Sequence, residues 1–173
     1  MIYMAENWEK GYLDSLCGAL NEMDFNASVE TVGGEPALII SPPDEETSSS
    51  GIKISIEHVA ESSCQLQVLA QLYSDIDAKI FADIDRLAAR INQFLTVGNL
   101  TVFFEGRSLF YNYALLFIED MDPETVTALL GSAMEIMGAT ISKITALLDP
   151  LMNGGITVQA LLDSNISIVQ GGE

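Results

Sequence analysis

The chain has 173 residues, of which 49% are apolar, and its mean hydropathy is +0.28. This is the size of one ordinary globular domain, and a folded chain of this length needs no metal or disulfide to bury a sufficient core. Its 7 Lys and Arg against 25 Asp and Glu give a formal net charge of −18. Because binding to phosphates requires clustered basic side chains, we expect no nucleic-acid partner and no contact with an anionic membrane. We predict one soluble domain over residues 1–173.

The first predicted helix covers residues 5–23, where apolar side chains recur at spacings of three and four, with Asn7 as a candidate cap. Four segments that favour β structure follow, at 28–32, 37–41, 52–59 and 64–73. Apolar and polar residues alternate in the last two, which is typical of strands with one packed face. Gly33 and Gly34 predict a tight turn, and residues 42–51 read as an acidic loop rich in Ser and Pro.

The second predicted helix covers about 75–95, with Ser74 and Asp77 as a capping pair. A hairpin follows, formed by 100–105 and 109–118 around a turn at Gly106 and Arg107. The first turn of a third helix is marked by the cap residue Asp122 and by Pro123.

The third helix is expected to end near Leu148, because Pro150 cannot continue it. A short helix at 157–163 and a frayed tail at 164–173 complete the chain. The predicted fold class is α+β: an antiparallel sheet of five to six strands with helices packed on it, in the order α-β-β-β(-β)-α-β-β-α.

The third helix is apolar on more than one face, which is unusual for a helix that covers a sheet in a small domain. Between residues 126 and 148 only Glu135 and Lys143 are charged. Three alternatives remain for what covers its second face: the chain's own C-terminal segment, a second copy of the chain, or a partner protein. The candidate interface residues are Leu130, Met134, Met137, Ile141, Ile144 and Leu148.

Residues with catalytic or metal-binding chemistry are few. His58 is the only histidine, and it lies outside any Ser, His and Asp spacing of a hydrolase, so we predict a structural or surface role for it. Cys17 and Cys64 are far apart and are expected to be reduced and partly buried. We therefore predict no enzymatic activity, no catalytic residue and no cofactor.

Carboxylates cluster at 44–46, at Asp75 with Asp77, and at 119–124. The run from Asp75 lacks the glycine that a calcium loop needs, and acidic residues at 119–124 suit the N-terminus of a helix. We predict no metal site. The first residues carry no basic segment followed by an apolar run, and no stretch is long and uncharged enough to cross a membrane, so we expect a cytoplasmic protein.

Residues 90–137 resemble the YbjN family, also called bacterial sensory-transduction-regulator-like proteins, which share the fold of the type III secretion chaperones. The resemblance rests on Asn92 near the end of a helix, strands at 100–104 and 109–113, and a helix that starts at Asp122 and Pro123. It implies a small acidic α+β domain, often a homodimer, without enzymatic activity. The insertion before the third strand and the tail after Pro150 depart from the family pattern.

Two functions follow as hypotheses. The first is a non-enzymatic protein-binding module of chaperone or adaptor type, which holds a client or regulator by strand addition or in apolar pockets and favours basic partners because of its charge. The second is a sensory or regulatory domain that binds a small ligand between the sheet and the third helix. Its pocket walls would be Tyr111, Tyr113 and Phe117, with Met134.

Overall fold

The computed structural model describes residues 8–41, 51–60, 63–118 and 121–164. It contains four helices and six strands within these ranges, and their bounds are as follows. In chain order they are α1 (Trp8–Glu22), β1 (Asn26–Val32), β2 (Glu35–Ser41), β3 (Ile52–Ala60), β4 (Ser63–Tyr73), α2 (Ala78–Asn92), β5 (Asn99–Phe103), β6 (Ser108–Ile118), α3 (Pro123–Met152) and α4 (Val158–Asp163).

The six strands form one open antiparallel sheet in the order β1-β2-β3-β4-β6-β5. The fold class and the order of elements predicted from the sequence are confirmed. β1 pairs with β2 along its whole length, around a turn in which Gly33 and Gly34 have φ values of +66° and +97°. Since side chains other than glycine rarely adopt such angles, the two glycines fix the position of this turn.

The chain divides into two compact units. The first comprises Met1–Ala70 and Ala114–Ser132, and the second comprises Gln71–Tyr113 and Ala133–Glu173. In the first unit α1 packs on β1 and β2. In the second unit α2 packs on β5 and contacts α4.

Burial on β4 follows the pleat of the strand. Cys64, Leu66, Val68, Ala70 and Leu72 are each at most 4% exposed, whereas the residues between them are half-buried. The register pairs Leu66 with Ile56 and Val68 with Ile54 across the β3–β4 ladder. The alternation predicted for this segment is therefore present, and one face of the strand lies in the core.

Each edge strand of the sheet is tied to the helix before it by an asparagine amide. On β1, Asn21 Nδ2 donates to the Ala27 carbonyl at 3.0 Å, and Asn21 Oδ1 accepts from the Ala27 N–H at 2.9 Å. On β5, Asn92 makes the same two bonds to Leu100, at 3.0 and 2.7 Å. Both bridges satisfy backbone groups that no neighbouring strand reaches.

The start of α2 differs from the prediction. The helix begins at Ala78, and Asp77 itself is the N-cap, with its carboxylate accepting from the Lys79 N–H at 2.9 Å. Asp75 adopts a φ of +50°, a turn conformation that the helix cannot include. Ser74 therefore lies outside the helix and does not form the predicted capping pair. The cap predicted for α3 is confirmed, since the Asp122 carboxylate accepts from the Thr125 N–H at 3.1 Å.

The end of α3 also differs. The helix continues through Pro150 to Met152, four residues beyond the predicted end. Proline removes one donor and strains the preceding turn, but it does not forbid a last turn of helix. The helix ends just before Gly154, whose φ is +72°, and the N–H groups of Gly155 and Ile156 donate to the Pro150 carbonyl at 2.7 and 3.2 Å. A glycine in the left-handed conformation, and not the proline, ends this helix.

Several predictions concern residues outside the described ranges. These are the Asn7 cap, residues 42–50 of the acidic loop, Glu119 and Asp120, and residues 165–173 of the tail. The prediction of a single domain over 1–173 stays a prediction.

We expect Asn92→Ala to lower the free energy of unfolding by about 1–3 kcal/mol, because it leaves the backbone N–H and carbonyl of Leu100 without partners at a half-buried site. Urea denaturation monitored by circular dichroism measures the change. Asn21→Ala is the matched comparison, and we expect a smaller loss because Asn21 is exposed to water. An equal loss in the two variants would contradict this account of the bridges.

Candidate functional site

The α3 residues predicted to form an interface lie mostly in the core of the chain. Leu130, Met134, Met137, Ile144 and Leu148 are buried, and Ile141 is half-buried. They follow one stripe of the helix, which the fold covers, so they do not form a free surface in this structure. The exposed large apolar residues of α3 are instead Leu129 and Ile136.

From the sequence we expected no stretch long and uncharged enough to cross a membrane, but the span Glu124–Met152 of α3 meets the requirement by length and composition when two charged residues are allowed. Core helices of soluble proteins meet the same requirement, so the finding is a weak indication. Only 28% of its most apolar window is buried. The helix thus adds exposed apolar surface to the protein, and the expectations of no membrane contact and of a cytoplasmic location stay predictions.

The residues predicted to line a ligand pocket are packed as core side chains. Tyr111 is buried in the second unit, where its hydroxyl donates to the Val97 carbonyl. Phe117 is buried in the first unit and stacks on Tyr12, with 5.4 Å between ring centroids. Tyr113 is half-buried on the same side of β6. Met134, the fourth proposed wall, is buried too.

The edge strand β1 offers backbone groups to a partner. The N–H of Ala27 donates to Asn21, and its carbonyl accepts from Asn21 and from the Cys17 thiol, so both backbone groups point away from β2. In an antiparallel strand, alternate residues direct their backbone groups to the same side. Val29 and Thr31 therefore also point outward, and no strand lies beyond β1 among the described residues. Asn21 closes one end of this edge and leaves the rest open.

The sequence around β1 carries an excess of negative charge. Between Lys10 and Lys53 the sequence contains no basic residue. The described part of that interval has five acidic residues, all exposed: Asp14, Glu22, Asp24, Glu30 and Glu35. Asp14 pairs with Lys10 at 3.0 Å, and Lys53 lies on β3 opposite Ile39 of β2. The other four carboxylates form no ion pair with another described residue.

The opposite edge, β5, is less suited to a partner strand. It has five residues, and the Asn92 bridge occupies Leu100, which leaves Val102 as the next residue with outward backbone groups. Arg90 in the last turn of α2 and Arg107 in the β5–β6 turn place positive charge in the same unit. β1 is therefore the edge with more open backbone, and exposed carboxylates are in excess in the sequence around it.

A cluster of polar side chains lies at the N-terminal end of α1. His58 Nε2 is 3.0 Å from Glu9 Oε1, and His58 Nδ1 is 3.6 Å from Cys64 Sγ. The β3–β4 register pairs His58 directly with Cys64, which places both side chains on one face of the sheet. Sequence spacing gave no signal for this cluster, because Glu9 lies 49 residues before His58.

No group of three or more His, Cys, Asp and Glu residues in the described part of the chain, this cluster included, is arranged to hold a metal ion. The comparisons with known proteins give no further guide. No protein-family model matches the chain, and no curated protein matches it either. The resemblance to the YbjN family stays a prediction.

The buried hydroxyl of Tyr111 is expected to affect the free energy of unfolding at alkaline pH. Burial, with a smaller effect of neighbouring Tyr113, raises the pKa of Tyr111 to about 12 from its usual value near 10. Because the pKa is higher in the folded state, its contribution to stability is complete below pH 10 and is lost as the pH rises through 12. We expect the stability difference between wild type and Tyr111→Phe to shrink over that interval.

Unfolding by urea between pH 8 and pH 12 measures this difference. The pKa of Tyr12 is also raised to about 12 by burial, but this residue is present in both proteins, so its effect cancels in the comparison. A difference that stays constant up to pH 12 would show that the Tyr111 hydroxyl is not desolvated in the folded protein.

Proposed function

We propose that this protein is a non-enzymatic protein-binding module of chaperone or adaptor type, and that it binds an extended, basic segment of a partner as an added strand along β1. The observation that carries the proposal is the open backbone of Val29 and Thr31 on an edge strand in a stretch of sequence with an excess of exposed carboxylates. Strand addition obtains affinity from main-chain hydrogen bonds and specificity from alternate side chains.

The backbone geometry supports pairing over a short, defined length. Val29 and Thr31 together offer two N–H donors and two carbonyl acceptors in one row. Asn21 already occupies Ala27, so a partner strand is directed toward the Val32 end of β1. This limits the number of registers that the partner can adopt.

The charge supports a basic partner over an acidic one or a second copy. Each chain carries a net charge of −18, and exposed Glu30 lies on β1 itself. Two copies that paired through β1 would bring their carboxylates together, which is destabilising, whereas a strand with Lys or Arg would gain favourable contacts and a faster encounter. The homodimer implied by the family resemblance would then use another surface.

A proline substitution tests the edge without disturbing the sheet. The N–H of Thr31 points outward, so Thr31→Pro removes only a donor that β2 does not use, and edge strands tolerate proline at such positions. Thr31→Ala keeps the donor and is the matched control. We expect Thr31→Pro to weaken binding of a labelled ten-residue peptide of alternating valine and lysine by about tenfold, equivalent to about 1.4 kcal/mol.

Fluorescence anisotropy measures this binding, and a peptide of alternating valine and glutamate should bind far more weakly than the basic peptide. Equal affinity of the two variants for the basic peptide would mean that charge alone attracts it and that β1 accepts no strand. Light scattering at two concentrations completes the test: a dimer in wild type and Thr31→Ala that becomes a monomer in Thr31→Pro would identify the occupant of the edge as a second copy.

A further inference from the structure

The Cys64, His58 and Glu9 side chains are arranged as a nucleophile, a base and an orienting group, in that order. Glu9 is a hydrogen-bond acceptor when ionised, so its contact at 3.0 Å assigns the imidazole proton to Nε2. In the neutral ring, Nδ1 then presents a lone pair to the Cys64 thiol at 3.6 Å. This order of groups is the one by which an adjacent base activates a cysteine, and such contacts are often long before a substrate is bound.

Two α1 side chains, Trp8 and Tyr12, carry polar atoms that form no hydrogen bond with a described residue. The indole Nε1 of Trp8 and the hydroxyl of Tyr12 are buried and have no hydrogen-bond partner among the residues that the structure describes. The Trp8 ring meets His58 edge to face, with centroids 5.6 Å apart, and meets Tyr12 at 6.2 Å. Buried polar groups without partners are rare in native proteins, so the Trp8 indole, whose ring contacts His58, keeps an unused donor.

We propose that Cys64 is a peroxide-reactive thiol, activated by His58 and oriented through Glu9. The thiol proton passes to His58 Nδ1, and the resulting imidazolium keeps its Nε2–H on the Glu9 carboxylate. The thiolate sulfur attacks one oxygen of hydrogen peroxide, a sulfur–oxygen bond forms as the oxygen–oxygen bond breaks, and the departing hydroxide takes the proton from Nδ1 to leave as water. Sulfur loses two electrons and the product is a sulfenic acid.

Access to Cys64 explains why a small oxidant is the expected reactant. Cys64 is fully buried, whereas the His58 and Glu9 side chains above it are 46% and 31% exposed. Glu9, which contacts His58, lies in the first turn of α1, and a helix end is a part of the fold that opens readily. Peroxide needs a smaller opening than a peptide or a nucleotide does.

Cys17 provides an internal reference in the same molecule. It is a half-buried thiol that donates to the Ala27 carbonyl at 3.3 Å and has no contact with His58 among the interactions described. If exposure alone decided reactivity, Cys17 would react first. The ratio of the two rates therefore separates activation from accessibility within one sample.

The experiment oxidises the reduced protein with hydrogen peroxide, traps sulfenic acid with dimedone, and follows Cys17 and Cys64 separately by peptide mass spectrometry. In wild type we expect Cys64 to react faster than Cys17. In His58→Ala the Cys64 rate should fall about tenfold or more, as for loss of a general base, while the Cys17 rate stays unchanged. Glu9→Gln should give a smaller fall, and circular dichroism confirms folding of each variant.

A faster oxidation of Cys64 in His58→Ala than in wild type would overturn the proposal. If His58 only covers the thiol, then His58→Ala opens the site and Cys64 reacts faster. An unchanged rate, or a wild type in which Cys64 reacts no faster than Cys17, would likewise rule out activation. His58→Gln, which fills more of the space of the imidazole, replaces His58→Ala if the latter does not fold. None of these residues lies on the β1 edge, so the strand-addition proposal is tested separately.

Discussion

The buried row of β4, from Cys64 to Leu72, is the constraint on which the rest of the protein depends. A pleated strand sends alternate residues to opposite faces, so a row that is almost completely buried requires a continuous apolar cover on one side of the sheet. Elsewhere on the sheet α1 packs on β1 and β2 and α2 packs on β5, and the apolar stripe of α3 is buried as well. The glutamines between the buried residues mark the other face as the wetter one.

The open sheet has two edge strands, β1 and β5, and they differ in how many of their backbone groups are open. The Asn92 bridge and the short length of β5 leave little backbone open there, whereas the Asn21 bridge leaves most of β1 available. An exposed edge is an aggregation hazard that proteins commonly limit with charge. The carboxylates around β1 repel identical edges and attract basic ones, so one arrangement of charge serves both solubility and the proposed choice of partner.

The strands, the Gly33–Gly34 turn, the Asp122 cap and the order of elements could all be predicted, because they depend on local patterns that neighbouring residues determine. The end of α3 could not, since a proline in the last turn is compatible with helix and a glycine further on decided where it stopped. The sequence correctly predicted that α3 is apolar on more than one face. Which of these faces is covered depends on packing. The stripe through Leu130 and Met137 is buried, and Leu129 and Ile136 remain exposed.

The candidate sites, like the fold, depend in part on the sequence pattern and in part on the tertiary structure. The sequence by itself determined an acidic α+β protein with an alternating sheet, and it supplied the absence of basic residues between Lys10 and Lys53. Only the tertiary structure decided that β1 lies at an edge and that Glu9, His58 and Cys64 meet. The physical reason is that periodicity reports which face of an element is apolar, whereas strand order and contacts between residues 49 positions apart depend on how the whole chain packs.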